Sequence, residues 1–95
     1  MARYITLLHF TEAGGKSIRK STHRAHAFDK LAAKSGVRVE GQYWTLGACD
    51  GVLILEADSE RKILHLLAVL AALGNVRTET MQAFIDKEFD AFVQK

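Results

Sequence analysis

The spacing of apolar side chains switches between two periods along this chain, and the switches fall at glycines or small polar residues. Residues 3–10 are rich in β-branched and aromatic side chains and predict a strand. Ile5 and Leu7 would face one side and Tyr4, Leu8 and Phe10 the other, so this strand should be central and buried on both faces. Thr11 to Lys20 is polar around Gly14-Gly15 and predicts a loop or a short irregular turn. From Ser21 to Ser35 the period lengthens. Ala25, Phe28, Leu31 and Ala32 share a helical stripe, with His23, His26, Lys30 and Lys34 opposite. Ser21 or Thr22 would cap this helix, and Gly36 would end it in the left-handed conformation.

Residues 37–46 return to a strand pattern, with Gly41 as a bulge. Gly47-Ala48-Cys49-Asp50-Gly51 predicts a hairpin connection into a continuous apolar strand over 52–57. Asp58 or Ser59 caps a second helix over 59–73, stopped at Gly74. Ile63, Leu66, Leu67, Leu70 and Leu73 form its core stripe, but the reverse side holds Ala68 and Ala72 beside Arg61 and His65. A helix so apolar around its circumference is expected to be covered by something else, such as another subunit. Residues 75–83 alternate as an edge strand, and 86–94 form a short terminal helix with Phe89, Phe92 and Val93.

The order β-α-β-β-α-β predicts a ferredoxin-like α+β fold: a four-stranded antiparallel sheet, both main helices on one face, and a short C-terminal helix. The other sheet face is left bare although its central strands are apolar. A second copy is the simplest cover, so a homo-oligomer, at least a dimer, is expected.

Length and charge narrow the picture. The 95 residues make one domain, spanning 1–95, and the thin core of so short a chain would gain from self-association. Thirteen basic and eleven acidic side chains give a net charge of +2, too weak to imply nucleic acid as a partner. Lys16, Arg19, Lys20, Arg24, Lys30 and Lys34 do cluster, as a phosphate-binding surface would require, but a solvated helix face is the preferred account of them. Ile63 to Leu73 is too short to span a bilayer and contains His65, so no membrane is expected. No secretory signal is legible, and a lone cysteine, Cys49, fits a reducing cytoplasm.

Two runs resemble the GYD-domain family. One is Tyr43-Trp44-Thr45-Leu46-Gly47 followed by Asp50-Gly51 and an apolar strand; the other is Leu73-Gly74-Asn75-Val76-Arg77-Thr78-Glu79-Thr80, ending in Ala83-Phe84. The opening Tyr4-Ile5 strand with Thr11 after it is similar too. The resemblance implies a ferredoxin-like fold related to dimeric α/β-barrel proteins, and it brings no reaction with it. In the motif that names the family, Gly47 and Asp50 match, but Cys49 stands in the tyrosine's place.

Candidate chemistry is sparse. His23 and His26 lie three apart on a helix without a third ligand near them, so no metal is expected, and no cofactor motif is present. Cys49 could be a nucleophile, but a hairpin turn offers no helix N-terminus to activate it. Asp50 could be a general base, or could simply bond the turn's backbone. The most informative grouping is a pocket on the bare sheet face, where His9, Trp44, Glu56, Arg77 and Glu79 would converge, with Asp50 as a further candidate ligand residue. His9 would be its proton acceptor. The competing account makes Glu56, Arg77 and Glu79 ion-pair partners at an interface rim and His9 the polar end of a strand.

Three functions follow from these alternatives. They are a small-molecule-binding or sensor module, a cofactor-free enzyme of the oxygenase or isomerase kind acting on an aromatic or acidic compound, and a self-assembling structural protein. A closed cavity containing His9 would favour the enzyme, an open groove the binding module, and a face filled with side chains the assembly protein.

Overall fold

A computed structural model describes residues 1–94. Its strands are β1 (Ala2–Phe10), β2 (Arg38–Trp44), β3 (Gly51–Ala57) and β4 (Val76–Ala83). Its helices are α1 (Glu12–Lys16), α2 (Ser21–Lys34), α3 (Glu60–Ala72) and α4 (Asp86–Val93). The strands form one sheet in the order β2-β3-β1-β4, with every neighbouring pair antiparallel. This is the expected ferredoxin-like arrangement, with β1 and β3 central.

Side-chain alternation sets the two faces. Gly51, Leu53, Leu55 and Ala57 of β3 are buried under the helices, while Val52, Ile54 and Glu56 point to the open face. Pairing of Tyr4 with Leu55 and Thr6 with Leu53 puts those β1 residues on the helix side, and Ile5, Leu7 and His9 on the open side. Thr6 is fully buried, and its hydroxyl is bonded to that of Thr80 on β4 at 2.8 Å. The core joins Tyr4, Leu55 and Ala57 to Ala32 and Val37 at the end of α2 and to Ile63 and Leu66 in the first half of α3. It is therefore filled at the end of the sheet where α2 finishes and α3 starts.

The segment after β1 is more regular than the expected loop or irregular turn. Thr11 to Lys20 folds as α1 followed by a single 3₁₀ turn, Ile18–Lys20. Thr11 organises it. Its Oγ1 accepts the Gly14 N–H at 3.1 Å and donates to the Gly74 carbonyl at 2.6 Å, and its own N–H reaches the Asn75 carbonyl at 3.1 Å. These bonds dock a capped turn onto the start of β4. Gly14 has no freedom to be larger, because a Cβ there would collide with the Asn75 carbonyl oxygen. Nor do Ser21 or Thr22 cap α2. The 3₁₀ turn runs straight into the helix, Lys20 occupies the cap position, and the Ser21 N–H is already met by Ile18 O.

Other junctions follow the sequence signals. Gly36 and Gly74 have φ of 75° and 81° at the ends of α2 and α3. Ser59 Oγ accepts the Arg61 N–H at 3.1 Å to cap α3. Behind that cap, a hydrogen bond from Lys62 Nζ at 2.9 Å holds the Asp58 carboxyl below the usual carboxylate range. Leu73, expected in the core stripe, is 62% exposed beyond the end of α3.

Two apolar surfaces remain uncovered. On the open face, Ile5, Leu7, Val52 and Ile54 are half-buried, and Tyr43 and Met81 are exposed. The α4 helix projects from the end of β4 with Phe89 60% and Phe92 56% exposed, and Phe92 packs edge-on against Phe84 at 5.1 Å. The projection lengthens the molecule to 50 × 31 × 17 Å and raises its radius of gyration to 14.3 Å. A compact chain of this length would have about 12 Å.

Two substitutions test this account of packing. Leu66→Ala, at a fully buried site, is expected to lower unfolding stability by about 2–5 kcal/mol in urea titration. Gly14→Ala is expected to cost about 1–3 kcal/mol through overpacking. Its neighbour is the control: a Cβ on Gly15 meets nothing within 4 Å, so Gly15→Ala should be neutral or stabilising.

Candidate functional site

Away from the filled end of the core, α2, α3 and the sheet part to leave a half-open cleft of about 460 Å³. Its walls are the C-terminal part of β1 (Leu8, Phe10), the start of β3 (Gly51, Leu53), the sheet-facing side of α2 (Ala25, Phe28, Leu31), and the end of α3 with the residue after it (Leu70, Leu73). The space follows from side-chain size. Ala25 and Gly51 project little into it, and a Cβ on Gly51 would be crowded, 3.0 Å from Tyr43 O and 3.3 Å from Leu8 Cδ1.

A few polar groups border this apolar space. The Trp44 indole Nε1–H donates to Ser21 Oγ at 2.9 Å, tying the end of β2 to the start of α2. Arg24 Nη1 donates to Ser17 O at 2.9 Å and to Ser17 Oγ at 3.0 Å. Its Nη2 donates to Gly14 O at 3.4 Å. Asp50 Oδ2 accepts the Phe10 N–H at 2.8 Å, while the Asp50 N–H reaches Leu8 O at 2.8 Å. Asp50 thus fastens the β2–β3 connection to β1 through backbone bonds. An apolar cleft of this size with few convergent polar groups has the character of a small-molecule site.

The residues expected to share one pocket lie in three places. Trp44 and Asp50 border the helix-side cleft. His9, Arg77 and Glu79 lie on the open face, where His9 pairs with Arg77 across β1 and β4, and His9 Nε2 is 2.8 Å from Glu79 Oε1. Glu56 is also on the open face but at its far end, where it pairs with Arg3 and Arg38 at 3.4 Å each. The positions of Arg3 and His9 on β1 are six residues apart, roughly 20 Å in a strand. Glu56 therefore belongs to an ion-pair cluster with Arg3, Arg38 and Glu40, apart from Arg77 and Glu79.

The bulge explains why Trp44 parts from His9. Strand pairing shifts between Val39 and Gly41, leaving Glu40 unopposed, and one extra residue inverts the faces beyond it. Gln42 and Trp44 thereby turn to the helix side, and Tyr43 to the open face. Two cleft residues, Arg24 and Ser21, were not singled out as site residues. The available signal was positional. Arg24 is four and seven residues before Phe28 and Leu31, so it lies on the apolar stripe of α2, unlike the lysines of the same cluster.

Cys49 lies in the β2–β3 connection, half-buried, with Sγ 3.5 Å from Thr45 Oγ1. Among the described residues, no group of three or more His, Cys, Asp or Glu side chains is placed to hold a metal ion. No helix is long and apolar enough to cross a membrane, among the described residues.

Comparison with known proteins places this architecture. A family model described as the GYD domain matches residues 4–93. The chain is 32% identical over 84 residues to the glutamine synthetase and cystathionine beta-lyase binding protein of Thermus thermophilus, a match covering 87% of this chain and 88% of that relative. No solved structure matches the chain. The family match runs from β1 into α4 and takes in both the Asp50-Gly51 connection and β4, so this chain belongs to the GYD-domain family.

Proposed function

We propose that this protein is a small-ligand-binding module that acts as a homo-oligomer, with the ligand held in the cleft between α2, α3 and the sheet. The cleft of about 460 Å³ is the observation that carries the reading. It falls in the size range of ligand pockets, about 300–1,000 Å³. The enzyme alternative is less well supported. His9, the side chain best suited to proton transfer near neutral pH, lies on the open face beside Glu79 rather than in the cleft.

Self-association rests on the open face and on α4. Ile5, Leu7, Val52 and Ile54 form a continuous apolar patch, and the projecting α4 presents Phe89 and Phe92. A second copy covering both would bury surface that one chain leaves wet. A second reading, docking of an unrelated protein, draws on the Thermus thermophilus relative, whose name describes it as binding two enzymes. The outer face of α3, with Leu64 70% exposed, is the surface that would remain for it in an oligomer.

The cleft is tested with 2-naphthamide, a neutral planar probe, by titration of ¹⁵N-labelled protein. The chain has one tryptophan, so the indole N–H of Trp44 gives a single resonance at the cleft. Saturable movement of that resonance is expected, with affinity weakened about tenfold or more in Ala25→Phe, which fills the cleft. An unmoved resonance, or equal binding by the filled variant, would rule out the cleft as the site. For self-association, light scattering at micromolar protein should give at least twice the 10.5 kDa chain mass. Ile5→Lys, which places a charge in the open face without touching the helix-side core, should return the mass to that of one chain.

A further inference from the structure

We infer that the ligand carries a negatively charged group on an apolar body, and that Arg24 is the residue that pairs with the charge. This rests on the cleft being the ligand site, and it adds the ligand's chemical class. Arg24 is half-buried at the edge of the cleft, on the same stripe of α2 as Phe28 and Leu31. All of its hydrogen bonds among the described residues go to neutral acceptors, namely Ser17 O, Ser17 Oγ and Gly14 O. Carboxylate partners within 4.0 Å are found for Arg3, Lys16, Arg38 and Lys62, and among the described residues Arg24 has none.

A guanidinium has five N–H donors, so those three bonds leave capacity for a ligand. They also hold the side chain in place, so little entropy is lost when an anion binds. Placing a cation against apolar walls costs solvation, and an anion in the same low-polarity space recovers it more strongly than it would in water. Planar bidentate pairing makes carboxylate or a similar oxyanion the suitable group.

Asp50 borders the same cleft, with Oδ2 accepting the Phe10 N–H. The apolar end of the ligand lies among Leu8, Phe28, Leu53 and Leu70. The remaining members of the basic cluster play no part in this. Arg19, Lys20, Lys30 and Lys34 are exposed, and Lys16 pairs with Glu12 at 3.2 Å.

The test compares 2-naphthoate with 2-naphthamide, which match in shape and differ in charge, each titrated against the Trp44 indole resonance. Naphthoate is expected to bind about tenfold tighter than the amide, and raising the salt concentration should weaken naphthoate alone. Arg24→Gln should abolish the preference while amide binding stays as it was; retained amide binding shows that the cleft is intact. Arg24→Lys, which keeps the charge without the fork, should recover part of the preference and serves as the variant of record if Arg24→Gln fails to fold. Equal affinity for the two probes in the unaltered protein would overturn the inference and leave the cleft reading standing. A preference that persists in Arg24→Gln, or is undiminished in Arg24→Lys when that variant must stand alone, would overturn the assignment to Arg24. If neither probe moved the Trp44 resonance, the cleft reading itself would fall, and this inference with it.

Discussion

β1 and β3 are apolar on both faces, and this requirement for two covers governs the rest of the molecule. The chain provides one cover from its own helices. Ala32, Ile63 and Leu66 close over Leu55 and Ala57, and there the interior is complete. On the other side, Ile5, Leu7, Val52 and Ile54 have no helix above them. Hydrophobic burial is roughly proportional to the apolar area removed from water, so a patch of this kind favours association. The charged clusters sit at its ends: Arg3, Arg38, Glu40 and Glu56 at one, His9 and Glu79 at the other. Such an arrangement lets the centre be dry while the ends stay hydrated.

The helix-side cover is itself uneven, and the cleft is the result. α2 and α3 meet the sheet closely where their residues are small or branched, at Ala32 and Ile63. Toward Ser21 and Leu73 they do not close over Leu8 and Phe10, and the short Ala25 and Gly51 leave the gap unfilled. The gap persists because its edges are tied. The Trp44–Ser21 bond, the Asp50–Phe10 bond and the Thr11–Gly74 bond connect β2 to α2, the β2–β3 connection to β1, and the first turn to the α3–β4 connection. Long-range bonds of this kind let a concave space coexist with a small core.

Much of the fold was legible because local signals agreed with each other. Ser59 marked the start of α3, Gly36 and Gly74 marked helix ends, and the apolar run 52–57 marked a strand buried beneath helices. The first turn was not legible, because Thr11 and Gly14 take their structure from Gly74 and Asn75, which are remote in sequence. The site was legible only in parts. Trp44 and Asp50 were expected in a pocket, but on the bare face of the sheet; the face of Trp44 depends on how many residues the bulge adds, and Gly41 signals a bulge without giving that count. Arg24 was hidden by its basic neighbours, although its helical position alone set it apart from them.

The Glu40 bulge also makes the two margins of the sheet unequal. β2 pairs only with β3 on its inner side, and its outer margin is interrupted at Glu40. β4 pairs with β1 without interruption from Val76 to Ala83, so its outer margin offers an unbroken row of backbone donors and acceptors. Regular margins of that kind template the addition of foreign strands, whereas bulged ones resist it. Protection at β4 therefore falls to side chains. Arg77 and Glu79 put opposite charges on one face of the strand, flanked by Thr78 and Thr80 on the other. Charged side chains on an edge strand disfavour such pairing, so Arg77 and Glu79 set β4 against strand addition as well as lending polarity to the open face.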